Sequence, residues 1–167
     1  VTGVQTCALP ILEVFSGTSA AIKEQLLANR CDLGLFFTPV GAREPFREQV
    51  IAPSEFWVVL AGRNPWFPRG RTPSVKDLIA KQVPRIESRH SDYGKGFPAH
   101  FHAGSLGLDS PPFLEANLHE VKKRLVLEGA GFALLTKHAV EDEVKRGRML
   151  RVPTPKPLLS EVRAEWR

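Results

Sequence analysis

Along most of the chain, the hydrophobic positions either recur at helical spacing or form short runs typical of strands. Ile22, Leu26 and Leu27 recur at helical spacing, which predicts a helix that begins at Thr18 or Ser19 and ends near residue 29. Short apolar runs predict strands, and a run as uniformly apolar as 32–37 indicates a strand buried on both faces, as in a parallel sheet. The predicted strands are 12–15, 32–37, 46–60 with an interruption at Pro53, 83–87, 113–116, 132–135, 149–152 and 162–166.

Capping residues mark the ends of the predicted helices. Ser74 and Asp77 have the spacing of a capping box, in which each side chain bonds a backbone amide at the start of a short helix. Gly129 ends one later helix, and Gly147 ends a charged helix over 139–146. Strands and helices of these lengths in alternation predict an α/β fold with parallel sheets.

A second cap is predicted in Asn-Leu-His-Glu, where Asn117 is the N-cap and Glu120 completes the box. In the helix after this cap, Leu118, Val121 and Leu125 recur at helical spacing. These three side chains are therefore expected to line its buried face.

Residues 1–11 share no pattern with the rest of the chain. They lack the basic start and the long apolar run of a signal peptide, and a native strand over 1–6 would be short. Back-translation reproduces a common short-read sequencing adapter across the whole segment. We therefore treat 1–11 as an adapter translation, exclude it from fold reasoning, and expect native sequence to begin near Leu12, inside a gene.

Composition narrows the class of protein only slightly. The hydrophobic content of 43% and the charged content of 25% are those of a globular domain, and no apolar run approaches the ~20 residues of a membrane helix. The net charge of +5 is spread along the chain. Its densest basic stretch, Arg63 to Arg71, lacks the clustered aromatics of a single-strand binder, which favours a solvated loop over a nucleic-acid patch. With Cys7 set aside, Cys31 has no disulfide partner and is expected to be a small buried side chain.

Three stretches resemble the effector-binding domain of LysR-type transcriptional regulators. They are GTSAAIKEQLLANRCDLGLF at 17–36, EFWVVLAGRNPW at 55–66 and NLHEVKKRLVLEGAGFALLTKHAVEDEVKRGRMLRV at 117–152. The third is the most specific because of its length and spacing. Asn64 stands where the family usually has His, and Thr136 where it usually has Pro. The resemblance extends over essentially the whole chain from Leu12 onward.

The resemblance implies a periplasmic-binding-protein-like fold of type II, with two α/β subdomains and a ligand cleft between them. Residues 12–52 would form subdomain I without its first strand and helix, 53–135 mainly subdomain II with crossover strands, and 136–167 the return to subdomain I, truncated. A winged helix-turn-helix would precede Leu12 and bind DNA, and a last helix would follow Arg167. Without these missing parts, the chain is expected to be poorly soluble on its own.

The same resemblance implies a cytoplasmic bacterial regulator that senses a small polar or anionic metabolite. In full-length form it would be a homodimer or homotetramer, with no cofactor, no metal, no enzymatic activity and no membrane partner. One rival is the type II solute-binding protein of a transporter, which shares the fold. Another is an enzyme on this fold, such as a dehydratase, although no catalytic constellation is visible in the sequence.

Candidate effector-binding residues follow the ends of predicted strands. Thr18 and Ser19 lie at a strand-to-helix turn whose amides attract anions, although N-capping alone also explains them. Arg89 could bind a carboxylate with its guanidinium, or lie in an exposed loop. Asn117 could contact the ligand or only cap its helix. The complete set of candidates is Thr18, Ser19, Thr38, Ser88, Arg89 and Asn117.

Three other motifs give weaker indications of a binding site. His100 and His102 would point to opposite faces of an extended segment, and no Cys or paired carboxylate completes a tetrahedral metal site. The glycines of 94–96 lack the spacing of a phosphate loop. The acidic run 141–143 is expected to be a solvated helix face.

Overall fold

One long strand joins two groups of strands in the part of the chain that the computed structural model describes, residues 12–17, 19–36, 45–87 and 114–167. The helices of this part are α1 (Ser19–Leu27), α2 (Val75–Ala80), α3 (His119–Leu127) and α4 (Lys137–Lys145). The strands are β1 (Leu33–Phe36), β2 (Arg47–Ala61), β3 (Arg85–Glu87), β4 (Leu114–Glu115), β5 (Phe132–Thr136), β6 (Met149–Val152) and β7 (Leu158–Trp166).

The first group of strands consists of β1, β7 and the first part of β2, and the second group consists of the last part of β2 with β3, β4, β5 and β6. Strand β2 therefore belongs to both groups. From Arg47 to Phe56 it pairs antiparallel with β7, whose other edge pairs with β1. From Phe56 to Ala61 it pairs antiparallel with β5 on one edge and with β6 on the other. The strand order is β1-β7-β2-β5-β3-β4, with β6 joined to β2 off this path. The backbone therefore runs without a break from the first group into the second.

Parallel pairing is confined to β3, β4 and β5 within the described residues. The sequence predicted parallel sheets throughout, and that prediction is wrong for the ladders of β1, β2, β6 and β7, which are antiparallel. The physical reason is that apolar content indicates burial, whereas strand direction depends on the connections between strands.

The first predicted strands differ from the observed ones. Residues 12–15 form no strand with any described part of the chain, and Leu12 is 85% exposed, so the strand predicted there is not observed. Strand β1 was predicted to be buried on both faces. Instead Leu33 and Leu35 are about half exposed, while Gly34 and Phe36 are buried on the opposite face.

Helix α1 covers the buried face of this first group. Leu26 is buried, and Lys23 Nζ lies 3.5 Å from the buried Glu165 Oε2 on β7. Burial raises the pKa of Glu165, and the Lys23 charge opposes that rise. The helix therefore contacts the sheet through both an apolar and an ionic contact.

Strand β2 also runs through Pro53, where the sequence predicted an interruption. Pro53 pairs with Glu161 within the β2–β7 ladder, and the irregularity lies earlier, between Val50 and Ala52. There a β-bulge sets an extra residue against β7, and Val50 and Ile51 are both exposed. Proline is tolerated in a strand where its missing amide is not needed by the neighbouring ladder.

The helix boundaries largely agree with the capping signals. Ser74 N donates to Asp77 Oδ2 at 2.8 Å and Asp77 N donates to Ser74 Oγ at 3.2 Å, so the capping box of α2 is confirmed. These bonds lower the pKa of Asp77, with the Ser74 backbone amide as the main cause. Gly129 and Gly147 have φ of 76° and 70° and follow the ends of α3 and α4, as predicted.

The predicted cap of α3 is wrong, and of its predicted buried face only Leu125 packs against the second hydrophobic cluster. Its N-cap is Leu118, with no side-chain capping bond, so Asn117 lies one residue before the cap. Leu118 and Val121 are about half exposed, and the buried positions are Lys122 and Val126. A lysine on the buried face breaks the apolar spacing that the prediction followed.

Two hydrophobic clusters cover the two faces of the second group. Phe56, Val58 and Leu60 of β2 point into one cluster, and Trp57 and Val59 point into the other. The first cluster includes Val75 and Leu78 of α2, and the second includes Val126 of α3 and Val140 of α4. Because both faces are covered, this half of β2 is apolar at every position.

An ionic cluster lies where β2 passes between the groups. Glu55 Oε1 is 3.0 Å from Arg151 Nη2, and Glu55 Oε2 is 3.7 Å from Lys137 Nζ. The Arg151 guanidinium stacks 4.4 Å from the centre of a Trp57 ring. These contacts tie β2, β6 and the start of α4 together.

Asn64 organises the turn after β2. Its Oδ1 accepts from the amides of Trp66 and Phe67 at 3.1 and 3.0 Å, and its Nδ2 donates to the Ala61 carbonyl at 3.0 Å. The asparagine that replaces the usual family histidine therefore closes this turn by itself.

Gly62 offers a test of this packing. A Cβ at Gly62 would lie 2.1 Å from the Gly147 carbonyl oxygen, so Gly62→Ala must displace backbone, and we expect a loss of roughly 1–3 kcal/mol of unfolding free energy. Gly70 is the matched control, because a Cβ there meets nothing within 4 Å and costs only about 1 kcal/mol of left-handed strain. Urea denaturation measures both, and equal losses would contradict the close approach.

Candidate site at the carboxyl ends of the parallel strands

The carboxyl ends of β3, β4 and β5 lie side by side at one edge of the second group. Glu87 is level with Glu115, and the Ala116 amide donates to the Glu87 carbonyl at 2.8 Å. On the other side of β3, Ile86 is level with Ala133 of β5. Ligands of open α/β sheets bind beyond the carboxyl ends of the strands, so this edge is where a ligand would be expected.

Two helices begin at the same edge. Helix α3 starts at His119, shortly after β4, and α4 starts at Lys137, directly after Thr136 ends β5. The free amides and the positive dipole end of a helix favour an anion nearby. Thr136 Oγ1 lies 3.4 Å from His138 Nε2, which joins the strand end to the first turn of α4.

Basic side chains occupy these first turns. Lys122 is 2% exposed, and burial lowers its pKa, while the charge of Glu87 opposes the shift. Burial also lowers the pKa of His119 to about 4, with the charges of Lys122 and His138 adding to the effect. At neutral pH, His119 is therefore uncharged.

Glu87 connects this edge to β3. Its Oε2 lies 3.1 Å from Arg85 Nε, an ion pair whose angles are not those of a hydrogen bond. Glu87 also acts on Lys122 through its charge. The Glu87 carboxylate at the end of β3 therefore interacts with two basic side chains, Arg85 and Lys122.

The predicted site residues are only partly within the described chain. Ser19 opens α1 and is partly buried, beside the first group of strands. Asn117 is exposed and lies between β4 and α3, at the edge of the second group. Thr18, Thr38, Ser88 and Arg89 lie outside the described residues, as do His100, His102 and 94–96.

Sequence reasoning missed His119 and Lys122. Their three-residue separation is visible in the sequence, but the buried face of this helix was predicted only from Leu118, Val121 and Leu125. The available signal was that His119, Lys122 and Val126 share a helix face that begins next to Asn117.

Two other expectations can be compared with the structure. The acidic run 141–143 is not wholly solvated, because Glu143 is buried and forms ion pairs with Arg148 and, at 3.8 Å, with Lys123. Burial of Val140 and Glu143 on one face of α4 explains the difference. Cys31 is only partly buried, whereas a buried side chain was expected.

Two further kinds of feature are absent from the described part of the chain. No group of three or more His, Cys, Asp or Glu side chains is placed to hold a metal ion there. No helix of that part has the length and apolarity to cross a membrane.

Comparison with known families identifies the class of the protein. The profile of the "LysR substrate binding domain" matches residues 11–167, so the chain belongs to this family. Curated relatives include an uncharacterised HTH-type transcriptional regulator of Mycobacterium tuberculosis and another of Mycobacterium bovis. Each is 30% identical over 121 residues, which is 70% of this chain and 38% of the relative. The chain therefore spans little more than a third of the length of these relatives.

Solved structures agree on the fold. Vibrio fischeri DarR in complex with DNA has a TM-score of 0.67 and 21% identity, covering 94% of this chain and 52% of that one. The apo regulatory domain of Salmonella typhimurium HypT has a TM-score of 0.67 and 17% identity, covering 95% of this chain and 76% of that one. The α/β architecture is thus the periplasmic-binding-protein-like type II fold of LysR-type regulatory domains, as the sequence predicted.

The depressed pKa of His119 predicts a specific dependence of stability on pH. Because the folded pKa of about 4 is below the ordinary 6.5, protonation favours the unfolded chain. The contribution of His119 is present above pH 6.5 and is lost as pH falls towards 4, on the order of 2–3 kcal/mol in all. In urea titrations across this window, His119→Gln should lose less stability than the unaltered protein. Parallel curves would contradict this assignment.

Proposed function

We propose that this chain is the effector-sensing domain of a bacterial LysR-type transcriptional regulator, and that it binds a small polar or anionic metabolite. The observation that supports this site best is the convergence of three strand ends and two helix starts on one edge, where His119 is partly buried and Lys122 is buried. The family supports the sensing role over transport or catalysis.

The proposed site extends across both groups of strands. Ser19 with Thr18 would contribute from the start of α1, and Asn117 from the edge of the second group. Thr38, Ser88 and Arg89 complete the proposed set. A ligand that contacts both groups favours one relative arrangement of them, and it can shift the protein only by its difference in affinity for the two arrangements.

The activity of the whole protein is also part of the proposal. The full-length regulator would bind DNA through an N-terminal winged helix-turn-helix and act in the cytoplasm as a homodimer or homotetramer. Two facts support the DNA-binding role: the curated relatives are named HTH-type regulators, and DarR was solved bound to DNA. Movement of the effector domain would then change the spacing of the DNA-binding heads.

The site can be tested by calorimetry on the full-length protein, after a thermal-shift screen of metabolites has identified an effector. The double variant Thr18→Ala, Ser19→Ala removes the hydroxyl of the first residue of α1 and that of the residue before it in the sequence. We expect it to weaken effector binding by roughly 1–3 kcal/mol, the range for lost hydrogen bonds to a charged group.

Thr154→Ala is the matched control, because this hydroxyl bonds the Lys156 carbonyl on the β6–β7 connection, outside the proposed site. Its affinity should be unchanged. Unaltered affinity in the double variant, with an intact fold by circular dichroism, would remove the α1 turn from the site.

A further inference from the structure

The excess of positive charge is concentrated in one segment, although charged residues occur along the whole chain. Residues 62–82 lie between β2 and β3 and contain five basic residues and one acidic residue. Four of the five net positive charges of the protein therefore belong to this segment. Like charges close together repel one another, so a surface that was only solvated would gain nothing from this arrangement.

The segment is held firmly against the second group of strands. Phe67, Val75 and Leu78 are buried in the first hydrophobic cluster together with side chains of β2. Helix α2 thus turns its apolar face inward, and Lys76 on its outer side and Lys81 at its C-cap are exposed. The basic side chains therefore project from a packed element.

Backbone hydrogen bonds locate the two ends of the segment. The Gly62 amide donates to the Arg148 carbonyl at 2.7 Å, and the Phe132 amide donates to the Pro84 carbonyl at 2.9 Å. Phe132 is the first residue of β5, so both ends lie near the amino ends of β3 and β5. This is the edge opposite the candidate ligand site.

The acidic side chain of the segment, Asp77, is fully engaged by its neighbours. Its Oδ2 accepts from the Ser74 amide at 2.8 Å and from Ser74 Oγ at 2.9 Å, and its Oδ1 accepts from Arg71 Nη2 at 3.0 Å. Asp77 therefore offsets the charge of Arg71 alone. The other four basic side chains are exposed and form no ion pair with any described residue, and they are called the basic surface: Arg63, Arg69, Lys76 and Lys81.

The aromatic side chains of the segment face the protein interior. Phe67 is buried, and Trp66 is partly buried and packs against the same cluster. Base stacking on single strands needs exposed aromatic rings, and protein–protein interfaces are usually anchored by such rings. Contacts to duplex DNA need only basic groups, because the duplex presents about one phosphate charge per 1.7 Å of its axis. The composition of the surface therefore favours duplex DNA as its partner.

We propose that the basic surface contacts the phosphate backbone of duplex DNA in the full-length regulator. This inference rests on the proposed function, under which another domain of the same protein binds the DNA. Tethering to that DNA raises the effective concentration of phosphate at the basic surface, so that a few exposed contacts contribute to binding. Because the surface lies at the opposite edge from the candidate ligand site, DNA and effector do not compete for the same residues.

The salt dependence of DNA binding by the full-length protein tests this proposal. The probe is a fluorescent duplex of about 60 base pairs and random sequence, titrated by anisotropy between about 50 and 200 mM sodium chloride. The triple variant Arg63→Gln, Arg69→Gln, Lys76→Gln removes three phosphate contacts. We expect the slope of log affinity against log salt to become shallower by about two to three, and affinity at the lowest salt to fall at least about tenfold.

The matched control is Arg30→Gln, Arg47→Gln, Lys156→Gln. These three side chains are exposed, lie outside the basic surface and carry the same total charge. The control should keep the slope of the unaltered protein, and its melting temperature and that of the first variant should both stay unchanged. If a triple variant melts early, its three single variants are titrated instead.

The possible results separate this inference from the proposed function. Equal changes of slope in both triple variants would indicate a general effect of net charge and would overturn the inference. An unchanged slope with lower transcription from a promoter that the regulator controls would indicate an acidic protein partner and would overturn it too. If the full-length protein bound no duplex at all, the proposed function itself would fail, whereas binding with one slope in every variant removes only the basic surface.

Discussion

The continuous backbone of β2 is the constraint on which the rest of the structure depends. Its first part is held by β7 and its last part by β5 and β6, so neither group of strands can form its full ladder without this one strand. The ionic contacts of Glu55 with Arg151 and Lys137 lie where one set of partners gives way to the other. Any change in the angle between the groups must therefore pass through a strand that is fully paired on both sides of the junction.

The candidate site of the second group lies where its parallel strands end. Because β3, β4 and β5 point the same way, their last residues and the first turns of α3 and α4 share one edge. The order and direction of the strands therefore bring together helix dipoles and basic side chains that are far apart in the sequence.

Much of the fold could be predicted from local signals. The Ser74–Asp77 box and the glycines after α3 and α4 act through backbone bonds a few residues away, so the sequence alone locates them. Strand direction and the partner of β1 depend on contacts between distant segments, which no local pattern contains. At the candidate site, Asn117 follows the end of β4 as predicted but is not the helix cap, and the burial of Lys122 was not predicted because helical periodicity follows apolar side chains. The prediction assumes that apolar residues mark the buried face of a helix, and a lysine on that face does not follow this rule.

The bulge in β2 also determines how this domain can change in length over evolution. Gln49 and Ala52 pair with Ala164 and Val162, two residues of one β7 face, although they are three positions apart in β2. The bulge thus inverts the alternation of side chains between the two halves of the strand. Loss of the one extra residue here would remove the bulge and leave both halves of β2 paired with the same β7 residues on the same faces, whereas loss of two residues would force a one-residue slip that exchanges the faces of one half. Relatives without the bulge should therefore be one residue shorter at this point.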